Sequence, residues 1–174
     1  MRWVALLRAV NLGARNKVPM AQLRTLLEAA GYEGVRTYIA SGNVILDAPA
    51  GRAALAKDLE RLIADSFGVA TTAILRKPRD LAVAVAAHPF DDESDTHVAF
   101  LAARPSRAAA ARLEGVDSGA DRAVLAGADV YLRLPRGVQG SRLSAARLES
   151  LLGVPATMRN WRTVAALAEL AARA

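Results

Sequence analysis

The chain has 174 residues, with 53% hydrophobic and 23% charged side chains and no cysteine, which is the size of one domain or two small ones. That balance excludes a disordered chain, a disulfide scaffold and a cysteine-ligated metal centre. The net charge of +6 invites a nucleic-acid reading, and its placement says more than its total: residues 1–46 and 131–174 carry the excess, while 47–130 is slightly acidic.

Trp3–Leu7 is a continuous apolar run and predicts a buried strand. No small-residue cleavage site follows it, so a signal peptide is not expected, and no apolar run reaches membrane-spanning length. A cytoplasmic protein without membrane contact is the expectation. Pro19 opens a helix with Met20, Leu23, Leu26, Leu27 and Ala30 on one face, stopped by Gly31. Val35–Ala40 and Val44–Leu46 flank Ser41-Gly42-Asn43 as a hairpin. Leu55, Leu59, Leu62 and Ile63 mark a second helix ending near Gly68, and Val69–Arg76 returns as a strand.

Asp80–Ala87 predicts a short bridging helix. The order then repeats: strand His97–Ala103, a helix capped by Ser106, a hairpin of Asp121–Ala126 and Asp129–Leu134 around Gly127-Ala128, a helix through Leu148 to Gly153, and strand Pro155–Arg159. A last helix follows Asn160 and has no counterpart in the first half. The reading is an α+β fold, a tandem duplication of two ferredoxin-like (split β-α-β) units with an extra C-terminal helix. Its expected divisions are residues 1–77, a bridge and acidic linker over 78–96, residues 97–159, and 160–174.

Segments that break the repeat are where function is sought. The first is Arg8–Val18, a long connection between a strand end and a helix start, where free N–H groups favour anions. Arg8, Arg15 and Lys17 would meet charged oxygens there, with Asn11 as a neutral contact. Neither the Walker spacing nor the dinucleotide fingerprint is present. The second is Arg136–Arg142, whose Gly137 and Gly140 have the GxxG spacing with which KH domains clamp a nucleic-acid backbone. Here it joins a strand to a helix, and a structural turn with Ser141 as cap competes with a clamp. The third is Arg159-Asn160-Trp161-Arg162, in which Trp161 either stacks a base between arginines or begins an apolar helix face capped by Asn160.

Ser41 has no nucleophile elbow and no histidine nearby, so the hairpin turn explains it without chemistry. Taking the first and third strands as parallel puts that turn at the end of the sheet opposite Arg8–Lys17. His88–His97 gathers two histidines and four carboxylates without a metal-binding spacing, and reads as a solvated acidic linker. Neither a metal nor a cofactor is expected.

At these positions LLRAVNLGARNKVPMAQLRTLL, TYIASGNVIL, VYLRLPRGVQGSRL and TMRNWRTVAAL resemble the signatures of the uncharacterised bacterial "domain of unknown function 1697" family. The family commonly has glycine where Ala9 stands and lysine where Arg15 stands. The resemblance implies a duplicated α+β fold and no established activity. It also implies that Arg8, Asn11, Lys17, Ser41, Asn43, Ser141, Arg159, Asn160 and Trp161 are motif positions, which makes the Ser-Gly-Asn turn a candidate too. Together these readings give binding of an anionic, phosphate-bearing small ligand or nucleotide. RNA or single-stranded DNA binding, with Tyr38 and Tyr131 as stackers, and an enzyme acting on a phosphorylated metabolite are the alternatives. An edge strand of either sheet could also join two copies.

Overall fold

The computed structural model describes residues 1–173. Among them are eight strands and six helices in an α+β arrangement of two four-stranded antiparallel sheets. The elements are β1 (Arg2–Leu7), α1 (Met20–Ala29), β2 (Glu33–Tyr38), β3 (Asn43–Asp47), α2 (Arg52–Phe67), β4 (Ala73–Arg76) and α3 (Pro78–Ala86). They continue as β5 (Thr96–Leu101), α4 (Arg107–Glu114), β6 (Arg122–Ala126), β7 (Asp129–Arg133), α5 (Ala145–Leu152), β8 (Ala156–Asn160) and α6 (Trp161–Ala172). The strand orders β2-β3-β1-β4 and β6-β7-β5-β8 repeat one pattern, consistent with a duplicated split β-α-β arrangement. Two compact units result, one of residues 1–81 with 167–174 and one of residues 82–166.

In the first unit alternation along β1 sends Trp3, Ala5 and Leu7 to one face of the sheet. There they join Leu23 and Leu27 of α1 and Leu55, Leu59 and Ile63 of α2 in one apolar cluster. Val4 and Leu6, on the other face, are equally buried, which is why this strand reads as an unbroken apolar run. In the second unit Ala99, Leu101, Val130 and Leu132 pack with Leu113 of α4 and Leu148 and Leu152 of α5. Burial of each such leucine contributes about 1.5–3 kcal/mol.

The helix boundaries follow from their end residues. Ser106 and Ser144 accept from the backbone N–H groups of Ala109 and Arg147, satisfying donors that a first turn leaves open. Gly68 and Gly153 close α2 and α5 in the left-handed region, where a side chain would be strained. Ser144, and not Ser141, is therefore the cap of α5. Ser141 instead donates to Asp121 Oδ2 at 2.8 Å and accepts from the N–H of Leu143, bracing the turn before the helix.

Register also corrects the expected direction of β3. It runs antiparallel to β1, with Leu6 opposite Asn43. The β2–β3 turn consequently lies at the same end of the sheet as the loop leaving β1.

Candidate functional site

At that end of the first sheet, two loops are tied together. The N–H of Leu7 donates to the carbonyl of Gly42 at 2.8 Å. Asn11 then fastens the β1–α1 loop to the turn: its Nδ2 donates to the carbonyls of Ala40 (2.7 Å) and Val18 (2.9 Å). Its Oδ1 accepts from the N–H of Val18 at 2.8 Å. Both amide hydrogens are thereby engaged by backbone, so Asn11 acts in the structure as a clamp.

Four residues of the loop, Ala9, Asn11, Gly13 and Asn16, have positive φ between 52° and 57°. Asparagine and glycine adopt that region more readily than most residues. Asn16 fixes the loop by donating to Ala9 and by accepting the N–H of Asn11 on its carbonyl. Arg8 is half-buried, and its backbone is held by Thr71 Oγ1 (2.7 Å) and the carbonyl of Thr72 (3.0 Å). Arg15 and Lys17 stand exposed.

The turn side is equally constrained. Asn43 is fully buried and donates to the carbonyl of Tyr38 and to Ser41 Oγ. A Cβ added to Gly42 would run into Val10 Cγ2 and lie 2.9 Å from Leu7 Cβ, at a φ of +80°. The turn comprises residues 39–42, beginning two residues and ending one residue earlier than the spacing predicts. Ile39 accordingly leaves the strand, adopts φ +48° and is 52% exposed. A β-branched residue in that region is strained.

Between the loop and the turn is an open cleft of about 560 Å³. Lys17, Asn11 and Thr37 supply its polar lining, and Val18, Pro19, Met20, Ile39 and Ala40 its apolar walls. Met20 begins α1, whose Pro19 cap position makes no side-chain bond and whose first turn holds no acid. The N–H groups of that turn therefore keep their attraction for negative charge beside Lys17. The apolar walls carry no charge signal, and Ile39 in particular reads in sequence as an ordinary strand residue.

The other candidates fall in the second unit. Arg159 is 7% exposed and donates to Thr157 Oγ1 (2.7 Å) and the carbonyl of Met158 (2.9 Å); burial pushes its guanidinium down to about 10. Asn160 Oδ1 accepts from the N–H of Thr163 at the start of α6. Trp161 is buried, with its ring 4.3 Å from that of His88. Ser141 and the N–H of Arg142 both engage Oδ2 of Asp121, which is only 3% exposed. Tyr131 is buried as well and donates to the carbonyl of Ala84. Every aromatic side chain among the described residues is buried or half-buried, Tyr38 being half-buried. The acidic segment pairs Asp92 with Arg133, and no group of three potential metal ligands occurs among the described residues. Among the described residues no helix is long and apolar enough to cross a membrane.

The chain matches the DUF1697 family, described as proteins of unknown function, over residues 1–131. That range includes Arg8 through Asn43 of the cleft region and ends before Ser141. A solved structure described as a conserved bacterial protein from Streptococcus pneumoniae is 22% identical. It aligns with 98% coverage of both chains at a TM-score of 0.72, and so shares the fold. No curated protein matches the chain.

Proposed function

Since the chain belongs to the DUF1697 family of proteins of unknown function, we propose its role from the cleft itself: it binds a small, phosphate-bearing ligand there, of nucleotide size. The observation that carries this reading is Lys17 beside the uncapped first turn of α1, inside a cleft of about 560 Å³. A phosphate would take hydrogen bonds from the free N–H groups and the Lys17 ammonium. The less polar body of the ligand would rest against Met20, Pro19 and Ile39, with Thr37 as a polar contact. Volumes of this order are typical of small-molecule sites. Arg15, on the exposed part of the loop, adds to the field that attracts an anion.

Small-ligand binding is favoured over single-stranded nucleic acid because stacking requires an open aromatic surface, and Tyr131 is buried. Among the basic candidates, Lys17 takes the charge-recognition role ahead of Arg159, which is buried among Thr157 and Met158 in the second unit.

Calorimetry with nucleoside monophosphates, and with the same nucleosides lacking phosphate, tests the reading. The phosphorylated forms should bind and the bare nucleosides should not. One charge-assisted contact is worth about 1.5–3 kcal/mol, so Lys17→Ala should weaken binding by about 10- to 100-fold. Unchanged affinity in Lys17→Glu, or ordered phosphate elsewhere in crystals, would overturn it.

A further inference from the structure

The four sheet edges are protected unequally. β4 is buried along its whole length and β8 over most of it. β2 carries Glu33 and Arg36, a register break between them and Gly34 at φ +59°, features that discourage pairing. β6 has no break of this kind and one charged residue, Arg122, at its start. Its register with β7 is unbroken from Arg122 to Ala126, and Arg122, Val124 and Ala126 are exposed.

The hairpin geometry says which backbone groups face outward. Ala126 opposes Asp129 across the two-residue turn Gly127-Ala128, so this closing pair exchanges hydrogen bonds. Bonded pairs alternate along an antiparallel ladder, which assigns Arg122 and Val124 to β7 as well. The N–H and C=O groups of Ala123 and Leu125 are left pointing away from the sheet.

We propose that β6 pairs antiparallel with β6 of a second copy, on a two-fold axis at Val124. Ala123 then exchanges hydrogen bonds with Leu125 of the partner subunit, and the two Val124 side chains meet. The register is also complementary in charge. Within one chain Arg122 stands directly opposite Arg133, an unfavourable like-charge pair. In the paired sheet Arg122 lies opposite Ala126 of the partner subunit, with Asp129 of the partner subunit next in the same row. That carboxylate is about 10 Å away between Cα atoms. An arginine and an aspartate reaching over the small alanine methyl can span the gap.

Sedimentation velocity over the micromolar to millimolar range tests this. The wild-type chain should shift from 18.3 kDa to twice that mass as concentration rises. Ala123→Pro removes an outward N–H while leaving the ladder to β7 intact, and should hold the protein at the monomer mass. Arg122→Asp should do the same while relieving the contact with Arg133, so that loss of assembly is not loss of fold. Adding Asp129→Arg to Arg122→Asp should restore the dimer. A wild-type protein that stays monomeric throughout, or an Ala123→Pro variant that assembles as well as wild type, overturns the proposal.

Discussion

Gly42 is the residue on which the site geometry turns. It carries φ +80° and faces Val10 and Leu7 with no space for a methyl group. Gly42→Ala would impose a left-handed alanine and push the β1–α1 loop off the β2–β3 turn. Strain and overpacking together should cost about 2–4 kcal/mol. Urea unfolding measures that loss; a change below about 0.5 kcal/mol would show that Val10 yields without effort. Asn11 works from the opposite side. Its three backbone bonds consume a side chain whose type, read in sequence, suggests ligand contact. The distinction is invisible in a one-dimensional pattern, because a clamp and a ligand contact require the same amide. Ile39 is a different case: its β-branched side chain argues for a strand, and closure of the turn on Gly42 overrides that preference.

Elements were more legible than their relations. Ser106, Gly68 and Gly153 mark their helices in sequence and in structure, since capping depends on residues a turn apart, whereas the sequence points to Ser141 as the cap of α5 and Ser144 fills that place. The direction of β3 against β1 depends on strand order, which no local spacing encodes, so the meeting of loop and turn appears only in three dimensions. Tyr32, between α1 and β2, shows how elements are joined. Its hydroxyl donates to Asp58 of α2 at 2.5 Å. Desolvation, then this bond, pushes the phenol from 10.0 up to about 12, while the same bond holds the Asp58 carboxyl below its usual range. The raised phenol contributes stability that is fully present below pH 10 and is lost as pH rises through about 12. The depressed carboxyl contributes above its unfolded pKa and loses that contribution as pH falls through its folded value. Tyr32→Phe should therefore flatten part of the alkaline decline in stability. Tyr131, also raised to about 12 by burial, supplies a further part. Denaturant unfolding across pH 10 to 12 checks this; an unchanged slope in Tyr32→Phe would refute the coupling.

At the scale of the whole molecule, the first unit is assembled from both ends of the chain. Residues 167–174 belong with residues 1–81, and Arg2 donates to the carbonyl of Arg173 at 2.8 Å. Leu167 is fully buried and Ala171 nearly so. The repeat pattern alone assigns the last helix to no unit, because it has no counterpart in the first half. The two tryptophans allow a direct test, since Trp3 lies in the first unit and Trp161 in the second. In a Trp161→Phe background, fluorescence reports the surroundings of Trp3 alone. Leu167→Ala leaves a buried space and should cost about 2–5 kcal/mol, seen as a lower midpoint for the Trp3 transition. A midpoint that stays in place would mean that the first unit stands without the end of α6. A downward shift would mean that the sheet carrying the cleft draws part of its stability from the far end of the chain.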